Sequence, residues 1–187
     1  MTTTVDEKSV KELTWEGLIK EALRVRKDPN LAGRTSALRT AISPASETFA
    51  FAYTEKYLSR LKPVQRAAAR RAAAICASSK GAKQPDKQAD GKPTFKPIGR
   101  SIGDLKNRSG GAGDSIASQI NSLPLLDMES AATVLGLLIQ RCAAKGITVD
   151  YFDLARTLIN WGNGINENSR TTRGNVVAAF HQVSNNE

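Results

Sequence analysis

Histidine is almost missing from this chain: His181 is the single one in 187 residues. A sequence so poor in imidazole has few groups to shuttle protons or hold a metal. His181 itself, near the C-terminus, reads as a partly exposed helix residue. Cysteine is equally scarce. Cys76 and Cys142 each sit inside an apolar helical pattern, and both are expected to be free buried thiols, as in a cytoplasmic protein. No CxxC or HExxH spacing occurs, and no glycine-rich segment ends in Gly-Lys-Ser/Thr, so a P-loop is excluded. Asp150 and Asp153 fall at a helix start, where capping accounts for both. Neither catalysis nor a cofactor or metal is expected. No apolar run approaches the roughly 18 to 20 residues that cross a bilayer, so no membrane partner is expected. The opening MTTTVDEKSVKELTW has no apolar stretch of signal-peptide type, so export is not expected either.

A different shortage is local. No acidic residue lies between Lys56 and Asp86. Residues 1–55 are charge-balanced, residues 56–108 carry +11, and residues 109–187 carry −2, so the whole excess of +9 sits in the middle of the chain. Solubility needs no such localisation, and a polyanion partner explains it economically.

Aromatics make up only 5% of the chain against 40% for all hydrophobic types. The core must therefore be built from Ala, Leu, Ile and Val, with Trp15 and Trp161 on apolar helix faces. Trp15, Leu18, Ile19, Ala22 and Leu23 repeat at helical spacing from about Thr14, and Asp28-Pro29-Asn30 ends that helix. A short helix is expected over 31–41. Another should start at Ser43-Pro44 and run to about Leu61, and an Ala-rich one should follow over 63–78. Residues 79–100 break every pattern and read as a basic flexible loop. Beyond it the spacing predicts a short helix over 101–108 and a glycine turn at 110–113. A helix capped by Asp114 or Ser115 comes next, then a long one capped by Asp127 and stopped at Gly146. Another is capped by Asp150, and the last spans about 173–183. The turn at 110–114 reads as a plain loop, with a small anion nest as the alternative. The expected fold is all-α: two small helical bundles, 1–78 and 101–187, joined by the basic loop 79–100.

The cations have their own spacing. Lys62, Arg66 and Arg70 recur every four residues and are expected on one face of a helix, about 6 Å apart. Lys56 and Arg60 repeat the spacing on the preceding helix, and Arg71 lies beside the stripe. Lys80, Lys83, Lys87, Lys92, Lys96 and Arg100 extend the field into the loop. With few aromatics nearby, phosphate contact is favoured over base stacking. Arg170 and Arg173, in a polar turn after Trp161, are candidates for a second backbone contact.

The order of these features resembles the small subunit, often called CasB, of the type I-E CRISPR surveillance complex Cascade. The likeness runs from GRTSALRTAISP (33–44) through AAAICASSKG (72–81) and its basic loop to GRSIGDL (99–105). It continues in IASQINSLPLL (116–126), SAATVLGLLIQRCAAKG (130–146) and VDYFDLARTLINWG (149–162). The resemblance implies a non-catalytic two-bundle subunit, present with a second copy of itself beside backbone and large subunits. It would contact target and displaced DNA strands and stabilise the R-loop made by the guide RNA. On matching positions, Arg39, Arg66, the loop lysines, Arg170 and Arg173 are then the candidate contacts. Where the family often carries arginine, this chain has Asp114-Ser115-Ile116 and Val134-Leu135-Gly136, with Arg141 two turns on. The rival readings are a stand-alone basic helical nucleic-acid-binding protein and a protein–protein adaptor.

Overall fold

A computed structural model describes residues 13–81, 83–86 and 94–184. Lys87 and Lys92 lie outside the described residues. Within them the chain forms nine α-helices and no strand. They are α1 (Trp15–Val25), α2 (Ala32–Thr40), α3 (Phe51–Leu58), α4 (Pro63–Ser78), α5 (Ile98–Asn107), α6 (Gly113–Ser122), α7 (Met128–Ala144), α8 (Tyr151–Ile159) and α9 (Glu167–Ser184). The fold is all-α.

α4 is the axis of the molecule. Pro63 opens it, where a missing N–H costs nothing. Its residues 68–77 are all buried, and six of those ten are alanine. Side chains this small let α1, α2, α7 and α8 all pack against one helix. High helix propensity and small girth are here the same choice of residue. One hydrophobic cluster runs through this helix. It joins Leu18, Ile19 and Leu38 on the N-terminal side of residues 79–100 to Leu135, Leu138, Leu154 and Trp161 on the C-terminal side. The two groups of helices expected as separate bundles therefore share a core.

Helix ends follow their caps. Asp127 accepts from the Ser130 N–H at 2.8 Å, and Asp150 accepts from the Phe152 and Asp153 N–H groups. Gly146 and Gly162 take positive φ just past α7 and α8. Four boundaries differ from the sequence expectation. Ser43-Pro44 begins a series of turns, not a helix: the Ser43 hydroxyl accepts from Ala45, and Ser46 donates back to the Thr40 carbonyl. Regular helix waits for a 3-10 turn at Glu47–Ala50 and then α3. α5 starts three residues early because the Asp153 carboxylate, brought in from α8, accepts from the Ile98 N–H at 2.8 Å. Thus Asp153 caps a neighbouring helix instead of its own. α6 is entered from the 3-10 turn Gly110–Ala112 with no side-chain cap, so neither Asp114 nor Ser115 caps it. α9 begins at Glu167 because Asn166 accepts from the Ser169 N–H at 2.8 Å. Arg170 and Arg173 therefore stand on a helix and not in a turn.

α9 lies close against α5. Gly99 and Gly103 make this possible, since a Cβ at Gly99 would collide with the Val176 carbonyl and one at Gly103 would meet Val183. Both thiols are buried and free, and burial pushes each up to about 12, so both are unreactive.

Candidate nucleic-acid interface

The basic stripe predicted along α4 is not a stripe in the structure, and this corrects the spacing argument. Lys62 is exposed at the helix N-terminus. Arg66 folds back over the α3–α4 turn, donating from Nε to the Leu61 carbonyl at 2.9 Å and from Nη2 to that of Ser59 at 3.2 Å. Arg70 is buried, bonded to Glu55 at 2.6 Å, 3.5 Å from Glu47 and stacked over Phe51. Arg71 is 1% exposed and spans the core. Its Nε and Nη2 form a bidentate pair with Glu129 at 2.6 and 2.9 Å, while Nη1 donates to Glu47 and to the Ala41 carbonyl. The carboxylates missing from 57–85 arrive from α3, its leading turn and α7. Neutralised in this way, neither Arg70 nor Arg71 presents a cation to an outside phosphate.

Arg173 also turns inward. It is 6% exposed and stacks on the Trp161 ring. It donates to the carbonyls of Trp161 at 3.1 Å, Gly162 at 2.8 Å and Pro124 at 2.7 Å. Desolvation lowers its pKa, with Asp127 opposing. Lys96 is engaged as well, by Asp104 at 2.8 Å and Thr148 at 3.1 Å.

Most of the remaining predicted cations lie in two groups at the ends of α4. Lys56, Arg60 and Lys62 are exposed around its N-terminal turn, with Lys56 resting on the Tyr57 ring. Lys80 and Lys83 are exposed beyond its C-terminus, where Arg39 donates from Nε to the Ala77 carbonyl at 3.1 Å. Sixteen residues of helix separate the groups by about 24 Å. The backbone at Lys83 is pinned, since its carbonyl accepts from the Val149 N–H at 2.9 Å. Arg100, which reaches Gln182 at 3.4 Å, and Arg170 are exposed elsewhere.

Sequence reasoning missed two contributors. Arg26, at the end of α1, donates to the Cys76 and Ser79 carbonyls and so joins the C-terminal group, with exposed Lys27 next to it. Arg108 and Lys145 form a further exposed pair, the lysine donating to the Arg108 carbonyl at 2.7 Å. The signal was available: each of these cations lies in or just after the last turn of a helix, where a cation is favoured by the exposed carbonyls.

Among the described residues no group of His, Cys, Asp and Glu is arranged to hold a metal ion, and no helix is long and apolar enough to cross a membrane. The sequence profile of CRISPR-associated protein Cse2 matches residues 32–181. The chain belongs to the Cse2 family. Cse2 is the small subunit of type I-E Cascade, so family membership carries a place in a CRISPR Cascade complex. The fold agrees: the crystal structure of a Cse2-family CRISPR-associated protein from Thermus thermophilus superposes with a TM-score of 0.66 at 17% identity. That match covers 90% of this chain and 97% of the other. No curated protein sequence matches. The Cse2 match takes in α2 to α9 almost whole, and with them Lys56, Arg60, Lys62, Lys80 and Lys83 at the ends of α4, while Arg26 and Lys27 precede it.

Proposed function

We propose that this Cse2-family chain serves Cascade by holding nucleic-acid backbone at the two ends of α4, with no chemistry of its own. The observation that carries the reading is the sorting of its cations. Arg70, Arg71 and Arg173 are engaged inside the protein, whereas Lys56, Arg60, Lys62, Lys80 and Lys83 have exposed side chains held apart by a buried helix. Phosphates bound at such points give affinity and position without sequence readout. Sequence is then left to the guide RNA pairing with target DNA, and the small subunit stabilises the opened strands. Neighbouring backbone and large subunits, and a second copy of this chain, are the protein partners of this reading. Val64 and Leu125, 63% and 85% exposed beside Met128, offer apolar contact to such a neighbour.

Fluorescence anisotropy with labelled single- and double-stranded DNA tests it. Replacing Lys56, Arg60 and Lys62 with Glu is expected to weaken binding to all sequences alike. The slope of log K against log salt should flatten by about 0.7 to 0.9 for each phosphate no longer held. A folded triple variant that binds as tightly as the native chain overturns the reading. Absence of native binding even near about 50 mM salt favours the adaptor.

A further inference from the structure

α8 and α9 diverge to leave a groove of about 490 Å³, within the roughly 300 to 1,000 Å³ typical of small-ligand sites. On α9, Asn168, Thr172, Asn175, Ala179 and Gln182 recur at spacings of three and four, and so share the face that lines it. Asp153 and Arg156 of α8 and Asn160 just past its end line the other wall, and Ile98 and Val176 give it an apolar floor. Among the described residues the side chains of Asn168, Thr172 and Asn175 have no polar partner. Asn160 uses only its amide nitrogen, on the Arg156 carbonyl at 2.9 Å. The aromatic ring of Phe95 stands at the mouth, 59% exposed, with the Arg156 guanidinium 6.0 Å from its centre. At the far end Gln182 is tethered to Arg100.

Planar groups, free carboxamides and flanking cations match the three parts of a nucleotide. Aromatic rings and guanidinium planes stack on bases. Carboxamides, carrying both donors and acceptors, bond base edges. Arg156, 3.7 Å from the Asp153 carboxylate, is the cation lining the groove, and Arg100 adds a second through Gln182, so phosphates flanking the base have cations to meet. We propose that the α8–α9 groove takes an unpaired nucleobase from a single strand, stacked on Phe95 and bonded at its edge by Asn160 and Asn175. The proposal rests on the nucleic-acid reading above and adds a base-dependent contact to a phosphate-dependent one.

The full-length chain is titrated with a labelled homopolymer single strand and with an abasic strand of equal length and charge. The native chain is expected to prefer the base-bearing strand by about five- to tenfold. Phe95→Ala and Asn175→Ala should each reduce that preference, while the salt slope, and hence the phosphate count, stays unchanged. Circular dichroism confirms the fold, and the exposed Phe95 makes that variant structurally safe. Equal binding of the two strands by the native chain overturns the groove but leaves the phosphate reading standing. Failure of the native chain to bind either strand overturns both. Strand preference that survives both substitutions, with assembly onto partner subunits abolished, would mean that the groove receives a protein chain, and also overturns the proposal.

Discussion

Two regions of this molecule bury arginine, and they satisfy it in opposite ways. On α4, Arg70 and Arg71 meet the carboxylates of Glu47, Glu55 and Glu129, so positive charge is cancelled where it is buried. On α9, Arg173 meets three backbone carbonyls and an indole ring, so its hydrogen bonds are filled while its charge is not cancelled by a bonded carboxylate. The first solution ties distant helices together by charge. The second fixes the path of one turn, 161–164, against the 3-10 turn Leu123–Leu125. A count of basic residues treats both regions alike, yet Arg70, Arg71 and Arg173 are all withdrawn from the outside surface.

The largest effect is expected at Arg71. Truncation in Arg71→Ala leaves Glu47 and Glu129 facing each other across a partly buried gap, at a cost of about 3 to 5 kcal/mol in urea unfolding. Arg71→Met paired with Glu129→Leu should recover part of this, because the bidentate pair gives way to apolar contact while Glu47 keeps Arg70 at 3.5 Å. Failure of the double variant to recover would show the pair to be more than a charge match.

Arg173→Ala is expected to lose less, about 2 to 3 kcal/mol, since the orphaned groups are neutral carbonyls. Arg173→Lys should recover only part, because an ammonium cannot span three carbonyls in the plane that the guanidinium fork reaches. Full rescue by Lys would erase the distinction between the two regions.

The smallest effect is a difference in acid response. The Arg24 guanidinium bonded to Glu21 outweighs its burial and, with help from Arg34, holds the carboxyl down to about 2 from an ordinary 4.5. A depressed folded-state pKa stabilises the fold above about 4.5, and that contribution is lost as pH falls toward 2. At Asp153 burial wins, and its pKa is raised despite the Ile98 N–H and Arg156. A raised carboxyl pKa acts the other way, costing stability at neutral pH and returning it as pH falls through the folded value. Glu21→Gln should therefore shallow the acid limb of a stability–pH profile, and Asp153→Asn should steepen it. Parallel profiles would remove the contrast.

Much of the scaffold was readable because its signals are local. Pro63, Asp127, Asp150 and Gly146 each mark an element end within a few residues of themselves, and all four hold. The start of α9 was not, because 167–172 is polar throughout and its first turn is held by Asn166, an Asx bond that periodicity does not reveal. The cation stripe failed for a related reason. Glu47 and Glu129 lie 24 and 58 positions from Arg71, a distance over which spacing rules carry nothing. What the charge count does locate is the pair of exposed clusters at the ends of α4, although Arg26 lies outside the charged block and is marked in sequence only by its place at the end of α1.

The burial of 68–77 has a consequence for the order of synthesis. These residues leave the ribosome before any of α7 or α8 exists to cover them, since those helices begin at Met128 and Tyr151. Roughly seventy to eighty residues must be translated before the far side of the alanine helix meets its full cover, a matter of several seconds at typical elongation rates of about 5 to 20 residues per second. Low bulk limits the hazard of that interval. An alanine surface attracts passing hydrophobic chains far less than leucine would, so the residue that allows tight packing in the finished protein also makes the helix a quiet one while it waits.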